Sequence, residues 1–103
     1  MRTIPRLLLI ALLFGSGTLR ADELGSIDFP NSGAPEAQEA FLTGVKALHS
    51  FQFDEARFAF EEAQRIDPDF ALAYWGQAMS DNYPLWAQQD REAAEAALQR
   101  LAP

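Results

Sequence analysis

The stretch from Ala37 to Phe70 constrains this chain most, because apolar and small residues recur along it at helical spacing in two runs separated by a break. In the first run Phe41, Val45 and Leu48 form one apolar line, and Ala40, Gly44, Ala47 and Phe51 a second. In the second run Ala56, Ala59, Phe60 and Ala63 share a face, with Arg57, Glu61, Glu62 and Arg65 turned to water. The pattern predicts a helix from Pro35 to about Ser50, a turn at Phe51-Gln52-Phe53, and a helix from Asp54-Glu55 to Ile66. Pro35 suits a first helical turn, and Glu36 and Glu39 suit the positive helix start. Gly44, in mid-helix, costs about 1 kcal/mol against alanine, which close approach of the second helix at Ala56 would offset. Two apolar lines on one helix require two neighbours. A lone hairpin supplies one, so the other line faces a further helix, a ligand or another chain.

Phe53, Ala56, Phe60 and Ala63, followed by Asp67-Pro68, resemble the second half of a tetratricopeptide (TPR) repeat. Residues 37–70 make one full repeat by this reading, although Ala40 replaces a common tryptophan or tyrosine and Thr43 a common leucine. Directly after Pro68 the pattern restarts. Ala71-Leu72-Ala73-Tyr74-Trp75-Gly76-Gln77-Ala78 carries the aromatic pair and the small residue, Tyr74 and Ala78 included, that open a second, irregular repeat over 71–101. The resemblance implies an all-α fold of antiparallel helix hairpins, about four helices in residues 35–103, starting an α-solenoid. Tyr83-Pro84-Leu85-Trp86 extends the likeness to the opening of exported bacterial TPR proteins of unassigned role.

The third helix, capped by Asp67 or Asp69, carries Phe70, Leu72, Tyr74, Trp75, Ala78 and Met79. Apolar nearly all round, it is expected to be the most buried element. Asp81-Asn82-Tyr83-Pro84 breaks it with a loop longer than a regular repeat allows. A fourth helix covers roughly Gln88 to Leu101, with Ala93, Ala94, Ala97, Leu98 and Leu101 inward.

Residues 1–21 read differently. Arg2 and Arg6 precede the apolar run Leu7 to Phe14, and the small, polar stretch Gly15 to Ala21 follows, the layout of a secretory signal peptide cleaved after Ala21 or Gly17. The run falls short of the roughly 20 residues a membrane span needs. Residues 22–34, with Gly25, Pro30 and Gly33, read as an extended approach in which Ile27 and Phe29 tuck against the first helix. Cleavage after Ala21 leaves fifteen acidic residues against five basic ones. So acidic a surface repels nucleic acid and anionic lipid, and neither is an expected partner. There is no cysteine, hence no disulfide, thiol nucleophile or lipidated anchor.

No catalytic set emerges. His49, the single histidine, suits a helix C-terminus and has no second histidine or cysteine with which to hold zinc. Glu61-Glu62 and Asp67/Asp69 read as a solvated face and helix caps rather than paired catalytic carboxylates, and no serine sits in a nucleophile elbow. No metal or cofactor is expected. In TPR proteins the first helix of each repeat lines a concave groove for a peptide, and the resemblance carries that role to Phe41, Val45 and Leu48 and to Trp75, Met79 and Tyr83. Core packing is the competing role, and the favoured one at Trp75 and Met79. The groove lacks the basic residues of a peptide-carboxylate clamp, Lys46 excepted. The expectation is a non-catalytic protein-interaction scaffold outside the cytoplasm that binds a protein or peptide. The alternatives are the helical front of a larger enzyme or envelope complex continuing past residue 103, and a homo-oligomer built on the fourth helix.

Overall fold

The computed structural model describes residues 24–102, so the leader assigned to residues 1–21 lies outside them. The described chain is mostly helical. A 3-10 turn at Pro35–Ala37 runs into α1 (Gln38–His49), followed by α2 (Phe53–Ile66), α3 (Ala71–Ser80) and α4 (Arg91–Gln99). Between α3 and α4 a small hairpin pairs β1 (Asn82–Tyr83) with β2 (Gln88–Gln89) around a 3-10 turn at Pro84–Trp86. None of the helices described is long and apolar enough to cross a membrane.

The α1–α2 turn is tight because the Gln52 N–H donates back to the Ala47 carbonyl at 2.9 Å and Phe51 adopts a left-handed φ of 58°. α2 thereby folds back along α1, and this pair shares the largest contact in the fold. Ala56 and Ala63 are fully buried on the α2 face, as the helical period requires. What a side chain at Gly44 would meet first, however, is Phe60 rather than Ala56. The three atoms nearest to where its side chain would stand all belong to the Phe60 ring, at 2.8 to 3.0 Å. The glycine therefore clears room for an aromatic ring. Gly76 of α3 faces the same ring, and a side chain there would stand even closer to it. Phe60, fully buried, fills a slot between two glycines on two helices.

Around that slot Phe41 packs against Phe60 (ring centroids 5.9 Å apart), Phe70 (4.7 Å) and Phe29 (5.4 Å). Phe29 belongs to the extended segment 24–34, which lies across α1 and supplies the second neighbour that its apolar lines call for; α3 also touches α1. Phe29 tucks in as expected, whereas Ile27 stays exposed. Asp67 holds the segment's end: its Oδ2 accepts the Ala34 N–H at 2.8 Å and its Oδ1 the Asp69 N–H. This replaces the expected capping of α3, which has no side-chain cap. The Tyr74 hydroxyl closes the α2–α3 turn by donating to the Pro68 carbonyl at 2.7 Å.

α3 buries Ala73, Tyr74, Gly76, Gln77 and Ser80, half of its ten residues, but not its whole circumference. α4 begins at Arg91 rather than Gln88, because Gln88 and Gln89 pair with β1 and Asp90 caps the helix by accepting the Ala93 N–H at 2.9 Å. Only Ala97 of α4 is buried, and Leu98, expected inside, is exposed. Polar bonds secure α4 instead. Arg100 Nη2 donates to Gln64 Oε1 at 2.9 Å and to Gln77 Oε1, Gln64 Nε2 donates to Gln77 Oε1 at 2.7 Å, and Gln77 Nε2 donates to Glu61. Glu61 is thus bound to α3, and Arg57 pairs with Asp54 at 2.7 Å rather than with Glu61.

Alanine in place of glycine normally favours a helix by about 1 kcal/mol. Here the new methyl would meet the Phe60 ring, and overpacking of a filled core costs about 1–3 kcal/mol. Gly76→Ala and Gly44→Ala are each expected to lower the unfolding free energy in urea titration, with Gly76→Ala the worse of the two; a gain in stability from either would contradict the slot.

Candidate functional site

The helices leave an apolar hollow of about 320 Å³ at the C-terminal ends of α1 and α3. Leu48 and His49 of α1 form one wall, Phe51 and Phe53 of the turn its end, and Trp75 and Met79 of α3 the other wall, with Asn82 and Pro84 of the hairpin at the rim. Its large side chains remain in contact with water: Phe51 is 53% exposed, Trp75 40% and Met79 37%. The helical period explains the placement. Trp75 and Met79 are four apart on α3 and so share a face, set off from the Ala73, Gly76, Gln77 and Ser80 positions that meet the core.

A second hollow, of about 290 Å³, adjoins the first, and Phe53 lines both. Tyr83, Trp86 and Gln88 complete it. The Phe53 ring meets Tyr83 at 4.6 Å and Trp86 at 6.3 Å between centroids, both edge-to-face, the geometry aromatic pairs prefer. The hairpin holds these rings up. Ala87 takes a left-handed φ of 51°, and the Asp90 N–H donates to the Asp81 carbonyl at 3.0 Å, closing the base. Leu85 and Trp86 stand exposed at its tip.

Of the residues nominated for a groove, Leu48, Trp75 and Met79 line the first hollow and Tyr83 the second. Trp75 and Met79, for which core packing was favoured, are exposed. Phe41 and Val45 are corrected the other way: both are buried in the core cluster. The reason is the segment 24–34, whose Phe29 lies on Phe41 and which packs with Leu24 against the core cluster that holds both. Among the residues of the packing signature, Phe53, Ala56, Phe60, Ala63 and Tyr74 are buried and Ala78 half-buried, while Pro68 is exposed in the turn. Phe51 and Trp86 were not nominated. Phe51 had been assigned to an apolar line of α1, and only its left-handed backbone takes it out of the helix to the rim of the hollow.

The groups with potential chemistry have structural partners. The His49 ring donates from Nδ1 to the Val45 carbonyl at 2.8 Å, Glu62 pairs with Arg65, whose hydrogen bond holds the Glu62 carboxyl below its ordinary range, and Asp67 binds Ala34. Among the described residues no group of three or more histidine and acidic side chains is placed to hold a metal ion. No protein-family model matches the chain, nor does any curated protein or solved structure.

Asp81, at the hairpin base, is buried, and burial pushes its carboxyl above the ordinary range; Arg57 opposes this, and Asp90 and Glu61 add to it. A carboxyl whose folded pKa exceeds its unfolded one binds more protons in the folded state, so it lowers stability as pH rises through that interval. Asp81→Asn is therefore expected to unfold at higher urea concentration than the parent at pH 7. The difference should shrink as pH falls and vanish below about pH 4, the ordinary aspartate value. A difference that does not change with pH would contradict the burial effect.

Proposed function

We propose that this chain is a non-catalytic interaction module of TPR type that holds a segment of another polypeptide in the paired hollows, and that it works outside the cytoplasm. The observation that carries this reading is the exposure of Phe51, Trp75, Met79 and Trp86 around two adjoining hollows, when the same chain buries Phe41, Phe60 and Phe70 completely or nearly so. Contiguous apolar surface of this kind marks interaction sites in soluble proteins. The TPR-type reading draws support from three features: α1 and α3, the helices that open the two repeats of the sequence pattern, supply the walls; α2 folds back along α1; and the turn at Pro68 leads directly into α3. The leader-like layout of residues 1–21 supports export. The structural bonds of His49, Glu61, Glu62 and Asp67 support a role in binding rather than in catalysis.

Aromatic residues at the centre of an interface typically cost more than about 2 kcal/mol when truncated. Peptides selected from a display library on the full chain are expected to lose affinity at least about tenfold on Trp75→Ala or Met79→Ala. The stability of these variants should change little, because both side chains are partly exposed. Selected peptides that bind both variants as well as the parent would place recognition elsewhere and overturn the groove reading.

A further inference from the structure

We infer that the occupant of the paired hollows is a lysine- or arginine-bearing segment, its aliphatic stems laid along the apolar walls and its cationic heads over the indole faces of Trp75 and Trp86. This rests on the proposed role of the hollows in holding a partner, and adds the partner's chemistry. Two observations carry it. The first is charge. Two of the fifteen acidic residues and three of the eight basic ones precede residue 24, which leaves thirteen acidic side chains against five basic ones in the described chain. Each of those five is bonded internally: Lys46 to the Gly25 carbonyl, Arg57 to Asp54, Arg65 to Glu62, Arg91 to Glu95, and Arg100 to Gln64. The unbalanced field attracts a cationic segment and slows the approach of an acidic one, including a second copy of this chain.

The second observation is the lining. Apart from the His49 ring, whose Nδ1 is bonded to the Val45 carbonyl, the first hollow carries no acidic or basic side chain, so an acidic partner residue would be desolvated there without a lysine or arginine to pair with. A lysine or arginine suffers no such loss, because its stem is apolar and its head can remain in water above a ring. Trp75 at 40% and Trp86 at 58% exposure offer such rings on either side of Phe53, and tryptophan is the best cation–π acceptor. The two adjoining hollows accept two side chains of one segment.

The test is titration of the isotope-labelled full chain, followed by NMR, with two synthetic peptides of identical leucine and methionine content, one bearing lysine and arginine at its polar positions and the other glutamate. The cationic peptide is expected to bind at least about tenfold tighter at low salt, with the margin shrinking as salt is added. It should shift the indole N–H signals of both Trp75 and Trp86, and lose affinity on Trp75→Ala but not on Phe58→Ala, an exposed ring outside the hollows. Equal affinity for the two peptides would overturn the cationic partner while leaving the groove in place. Binding of neither would overturn the groove as well. Cationic binding unaffected by Trp75→Ala would reduce the effect to general attraction by an acidic surface and overturn the inference. Groove signals that move with protein concentration alone would make a second copy the occupant and overturn it too.

Discussion

The ring of Phe60 sits where three helices meet, and it can do so only because Gly44 on α1 and Gly76 on α3 lack side chains. A ring wedged between two backbones fixes more than a small-residue contact would, since it sets the distance of α2 from both neighbours at once. Close-packed interiors resist volume changes as small as a methylene, so the slot serves as a spacer. It accounts for two glycines in helix interiors, each of which would otherwise be a loss of about 1 kcal/mol.

The site follows from this spacing. With α1 and α3 both drawn against one ring, their C-terminal ends supply the walls of the hollow bounded by Leu48, Trp75 and Met79. Along another side of α1 the segment 24–34 and Phe70 pack against the core that holds Phe41 and Val45, and a Gly33 side chain would stand 2.5 Å from the Phe70 ring. The segment thus packs along one side of α1, while Leu48 and His49 border the hollow shared with α3. The hairpin between α3 and α4 extends this hollow with Tyr83 and Trp86, both resting on Phe53.

The helices were legible in the sequence because periodicity reports which residues share a face, and the bounds of α1, α2 and α3 agree with it to within a few residues. Periodicity says nothing about which residue of a neighbouring helix stands opposite. The expectation that set Ala56 opposite Gly44 therefore missed the Phe60 ring beside it, and Gly76 was read as part of a motif rather than as a second glycine against that ring. The Gln64–Gln77–Arg100 bonds were illegible for a related reason. Glutamine and arginine read as surface residues until tertiary structure joins positions 13 and 36 residues apart. The open site was half legible. Leu48, Trp75, Met79 and Tyr83 could be nominated from the resemblance, but the packing around Phe41 and Val45 depends on how an aperiodic segment lies, and Phe51 enters the rim through a backbone angle that bulky residues rarely adopt.

The most direct measurement of the slot is a double-mutant cycle on unfolding free energy between Gly76→Ala and Phe60→Leu. Leucine lacks two of the three ring atoms, Cε1 and Cζ, that a side chain at position 76 would meet first. In the Phe60→Leu background the cost of Gly76→Ala should therefore shrink, or reverse toward the roughly 1 kcal/mol gain of alanine in a helix. A cost of the same size in both backgrounds would mean that the two residues do not constrain each other, and would contradict the account.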